Sequence, residues 1–219
     1  MARDFTMNPQ AAKESNSGGK RIDQHGVYRG TFRAAFYEKN DKGTESVNLI
    51  FVAESGQEAG PLALYTHNGD GEPLPSFKTF NAVLACMKLR SVKAQPGKVK
   101  LWDSASNAEV EKPKDCYPAM IGPRIGLVLT EEEYMNRNGE KRTRLVIAAP
   151  FNADSEQMAD EVLNSQPAGA LDRYTAWLTT KGRWIKPLKT GEPVAPATGA
   201  RGYSDSTGGN TFPDDDIPF

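Results

Sequence analysis

The chain has 219 residues, 38% of them apolar, with 27 Lys+Arg against 28 Asp+Glu. That length suits one domain of ordinary size with tails, or two small ones, and the 20 Gly and 15 Pro argue against a helical bundle. No apolar run nears the roughly 18 residues that span a bilayer, no signal-peptide block opens the chain, and Cys86 and Cys116 stand in unrelated contexts; a cytoplasmic protein is expected.

Residues 1–21 are polar, include Ser15-Asn16-Ser17-Gly18-Gly19 and lack apolar periodicity, so they read as a flexible N-terminal arm. From Gly26 the pattern changes to strand. Over residues 27–37 one parity carries Tyr28, Phe32 and Phe36, the expected core side, and the other carries Arg29, Arg33 and Tyr37. Asn40-Asp41-Lys42-Gly43 turns the chain into a second strand over 46–53, and a short third strand follows over 62–66. Ser76 stands where an N-cap would stand, before Phe77, Phe80, Val83, Leu84 and Met87 at helical spacing. Residues 91–120 show little pattern beyond a possible short strand at 99–102. A longer hairpin is expected from 124–134 and 142–151, because Asn138-Gly139 between alternating apolar runs is a strong hairpin signal. A helix is expected from Ser155 to about Leu163, and a last helical turn or two over 171–178.

Five strands around one helix predict a mainly β fold. The expected form is a small antiparallel five-stranded barrel of the oligonucleotide/oligosaccharide-binding type (OB-fold), with one or two helices, over residues 22–185. Residues 186–211 are rich in Pro, Gly, Ala, Thr and Ser with almost no large apolar side chain. Such a stretch buries too little surface to offset its ordering entropy, so a disordered linker is expected. Charge is uneven along the chain: residues 201–219 hold one base and four acids, and residues 1–200 hold 26 bases and 24 acids.

The chain closes on Phe212-Pro213-Asp214-Asp215-Asp216-Ile217-Pro218-Phe219. This segment resembles the acidic tip of bacterial single-stranded DNA-binding proteins, which also follow a disordered linker with Asp-Asp-Asp-Ile-Pro-Phe. The body is unlike the usual bacterial form, and a phage or prophage single-stranded DNA-binding protein is the closer resemblance. The chemistry of the tip reads independently of it. Phe219 offers a ring and a carboxylate, Ile217 and Pro218 extend the apolar contact, and Asp214, Asp215 and Asp216 attract a basic rim on a partner. The resemblance implies a protein that coats single strands during DNA replication, recombination and repair and recruits partner enzymes through residues 212–219. It also implies a possible homo-oligomer, since the host-type proteins assemble several barrels.

Binding single strands without sequence preference needs cations along the phosphates and aromatic faces under the bases. The first strand offers Arg29, Arg33 and Tyr37. The second hairpin clusters Tyr134, Arg137, Lys141, Arg142 and Arg144 around its turn, where the last loop of such barrels clasps nucleic acid. Lys39 and Lys42 approach from the first hairpin loop. Tyr65 and Trp102 are stacking platforms or core residues, and Lys181, Arg183, Trp184, Lys186 and Lys189 interleave bases with an aromatic, either continuing the groove or solvating the start of the linker.

An enzyme is not expected, and no cofactor. His25 and His67 have no ligand at metal spacing, and there is neither a Gly-rich phosphate loop nor a nucleophile elbow. In a strand, Glu132 points away from Glu131 and Glu133, against a metal cluster. Two alternatives stand beside single-strand coating: a strand-annealing recombination accessory protein, and an adaptor that borrows the tip to recruit a host enzyme without binding nucleic acid.

Overall fold

The computed structural model describes residue 7 and residues 21–188, apart from 104 and 137. In chain order the elements are β1 (Gly26–Lys39), β2 (Glu45–Ala53), β3 (Glu58–His67), α1 (Pro75–Cys86), β4 (Gln95–Asp103) and β5 (Ala108–Cys116). A 3-10 turn (Pro118–Met120) leads to β6 (Arg124–Met135), β7 (Lys141–Phe151), α2 (Ala159–Leu163), α3 (Ala170–Thr180) and β8 (Ile185–Lys186). The five expected strands are present as β1, β2, β3, β6 and β7, each somewhat longer than its apolar pattern. The region without clear pattern forms the hairpin β4–β5, and the two-residue β8 runs parallel to β6.

The fold is mainly β, on one antiparallel sheet apart from β8. β1 is its hub: it pairs β2 along its C-terminal half, β6 along its N-terminal half, and β5 at Phe36 and Tyr37. With the pairs β2–β3 and β6–β7, the order β3-β2-β1-β6-β7 is compatible with an OB-type barrel. The sheet stays open, since no ladder joins β3 to β7 among the described residues. Helix α1 contacts both strands and sends Val83 and Cys86 into the core between them, so helix side chains fill the place of a closing ladder.

Three apolar clusters result. The main one gathers Phe32, Leu49, Phe51, Leu62, Leu64, Ile125, Leu127 and Leu129 from the inner faces. Ile22 joins it at 2% exposure, so the chain enters the packed body there. A second lies on the outer face of β6–β7, where Leu171, Tyr174 and Leu178, spaced three and four apart on α3, cover Val128, Ala149 and Phe151. The third sits on the outer face of β1–β2, where Val99 and Leu101 of β4 cover Ala34, Phe36 and Ile50.

Three local expectations are corrected. Phe36 is buried, but in the third cluster rather than with Phe32. The register shifts between Phe32 and Ala34, which pair Phe51 and Ile50, so Arg33 is an extra residue that reverses the alternation after it. Helix α1 opens on Pro75, whose fixed φ suits a first helical position, with Leu74 rather than Ser76 at the N-cap. The helix expected from Ser155 begins only at Ala159, because the Asn152 side chain accepts hydrogen bonds from the Asp154 and Ser155 amides and holds a turn. Among the described residues no helix is long and apolar enough to cross a membrane.

Candidate nucleic-acid interface

The bulge at Arg33 divides the cationic face expected on β1. Arg29 lies before it on the outer face, its guanidinium 5.5 Å from the centre of the Phe151 ring and paired with Glu156. Arg33 reaches Glu58 at 3.0 Å and Glu109 at 3.9 Å, tying β3 to the β4–β5 hairpin, while its buried Nε has no hydrogen-bond partner among the described residues. Tyr37, beyond the bulge, falls on the opposite face from Arg29. Burial, with the Glu45 carboxylate beside it, raises its phenol above the ordinary value. These three residues therefore do not form one surface. Lys39 sits 3.4 Å from the same Glu45.

The second hairpin brings more of its predicted residues together. Cross-strand pairing sets Tyr134 opposite Arg142 and Glu132 opposite Arg144, so all four share the outer face. Arg144 donates from Nε and Nη2 to one oxygen of Glu132, at 2.9 and 2.6 Å, and its guanidinium lies 5.4 Å from the centre of the Tyr134 ring. Arg142 pairs with Glu140 at 2.7 Å. Lys141 belongs to the other face and pairs with Glu133 at 2.7 Å. Lys141 holds the Glu133 carboxyl below the usual Glu range, helped by the Leu188 amide, and Arg142 with Asn136 does the same for Glu140. Arg137, Lys189 and the tip residues 214–219 lie outside the described residues.

Tyr65 is half-buried on the outer side of β3, opposite Ser46. A polar cluster lies nearby on β1–β2. Asn48 donates to Glu38 and to Ser46, each at 3.1 Å, and Lys114 of β5 closes on Glu38 at 2.6 Å. The glutamates of 131–133 each take a different partner: His25 Nδ1 at 2.7 Å from Glu131, Arg144 for Glu132 and Lys141 for Glu133. His25 also stacks on Trp184, whose indole N–H donates to Thr179. These contacts make the 181–186 segment part of the packing around β6.

β4 also carries Lys98 and Lys100, which are not among the residues expected to bind. On β4, Val99 and Leu101 point into the third cluster, so Lys98, Lys100 and Trp102 point outward. Trp102 is 61% exposed, while every other described Phe, Tyr and Trp side chain is buried or half-buried. The signal was the alternation Lys98-Val99-Lys100-Leu101-Trp102 itself. A cleft of about 210 Å³ lies beside it, bordered by Arg33, Gln95, Lys98, Pro118 and Ile121. No protein-family model matches this chain, and no curated protein matches its sequence.

Proposed function

We propose that this chain is a non-enzymatic single-stranded DNA-binding protein of the phage or prophage kind. It coats exposed strands during replication, recombination and repair, and residues 212–219 recruit partner enzymes. The observation that carries the reading is the strand order β3-β2-β1-β6-β7 about one core, compatible with a fold that commonly holds oligonucleotides on its outer face and loops. The Asp-Asp-Asp-Ile-Pro-Phe sequence at 214–219 supports the recruiting half. Fluorescence anisotropy of a labelled single-stranded oligonucleotide, at two salt concentrations and against a duplex competitor, tests it. Binding that ignores duplex and weakens with salt, by a log–log slope of about −0.7 per phosphate neutralised, is expected.

One observation favours the adaptor as a second reading. Arg29, Arg33, Lys39, Lys141, Arg142 and Arg144 all have carboxylate partners, so phosphates would have to displace them. The Arg29, Lys39 and Arg142 pairs are exposed, and exposed pairs are worth about 0–1 kcal/mol, which keeps the exchange accessible at those three. Absence of binding at low salt would leave the adaptor.

A further inference from the structure

We propose that the outward face of the β4–β5 hairpin is a base-stacking platform for single-stranded DNA, with Trp102 under a base and Lys98 and Lys100 against the backbone phosphates. This rests on the single-strand-binding reading above. In barrels of this type the ligand lies on the outer strand face and adjoining loops. Here the outer face of β1–β2 is already covered: Ala34, Phe36 and Ile50 are at most 7% exposed beneath Val99 and Leu101. A strand approaching that side meets the far face of the hairpin first.

That face has the two components such binding needs, a ring and cations, and the cations must also hold phosphates against Glu109 and Glu111, which stand opposite Trp102 and Lys100 across the hairpin. Lys98, Lys100 and Trp102 are alternate residues of one extended strand, in steps of about 6.7 Å. The indole is open, and stacking on it is available to any base. Lys100 has no ion-pair partner among the described residues. Lys98 lies 3.7 Å from Glu111 in an exposed pair that a phosphate can replace at little cost. Lys98 also borders the cleft beside Arg33, so the path continues from the hairpin onto β1. Edge protection accounts for Pro96 and the lysines, because β4 ends the sheet. It does not account for Trp102, since a large exposed aromatic on an edge strand promotes the association that the lysines suppress.

The test uses the full chain and an oligo-dT probe with W102A, W102F and the double variant K98A/K100A. Anisotropy should show W102A binding about 5- to 100-fold more weakly, with W102F recovering most of the loss. The double variant should flatten the log–log salt slope by about 1.4, two phosphate contacts' worth. Wild-type tryptophan fluorescence should be quenched by oligo-dT, and that quenching should fall in W102F. If the wild type binds and W102A binds within twofold of it, the platform is overturned while the single-strand reading stands. If the wild type does not bind at low salt, both fall together. If W102A keeps its affinity but loses mass in sedimentation velocity, the face joins copies of the chain, and the platform is again overturned.

Discussion

Phe151 lies across Gly126 of the neighbouring strand, and a Cβ there would meet the ring at 2.1 Å. The ring is fully buried, with the Arg29 guanidinium over it, so it has little room to yield. Gly126→Ala should therefore destabilise the protein by about 1–3 kcal/mol, read as a lower urea midpoint at unchanged slope. An unchanged midpoint would mean that the ring moves aside freely. The two thiols differ in the same way. Burial pushes Cys86 up to about 12, leaving almost no thiolate at pH 8, whereas half-buried Cys116 is raised by burial and by Asp115 while remaining partly accessible. A thiol reagent at pH 8 should label Cys116 first and reach Cys86 only on unfolding, as peptide mapping would show.

At the scale of elements, the β6–β7 hairpin is held by cross-strand charge pairs on both faces. Its turn residues and period-two pattern were readable, but the partner of each cation was not, because pairing depends on register. The Glu133 carboxyl lies below its ordinary value in the folded state. Its contribution is present above the unfolded Glu range, about 4.3, and is lost as pH falls through the folded value. In an NMR titration Glu133 should have a midpoint below about 4.3, and Lys141→Ala should move it upward. A midpoint unaffected by that substitution would show that the pair does not form in solution. The β4–β5 hairpin was only half readable: its inward residues Val99 and Leu101 are few, and Pro and Lys elsewhere obscure the alternation.

For the whole molecule, the charge division between residues 1–200 and 201–219 sets the expected behaviour of the tip. Under the proposed function, an acidic segment tethered to the body would stand near its cationic surface at about millimolar effective concentration and would compete with nucleic acid for it. Deleting residues 212–219 should leave single-strand affinity equal or higher in the anisotropy titration while abolishing capture of a partner enzyme. A large loss of affinity would contradict the competition and place the tip in the binding surface itself.

Local chemistry was enough to determine the mainly β class, the five strands that wrap the main core, helix α1 between β3 and the next strands, and the Asn-Gly hairpin. Each rests on short-range periodicity or turn preference, which neighbouring residues encode directly. The tertiary structure decided what distant segments do to one another. It placed an extra residue at Arg33 that divides the expected β1 face, set a carboxylate beside each candidate cation it describes on β1 and the β6–β7 hairpin, and laid the β4–β5 hairpin over β1–β2. The physical reason is register: a strand with period two presents either face equally well, and only the packing of partners from elsewhere in the chain chooses between burial and exposure.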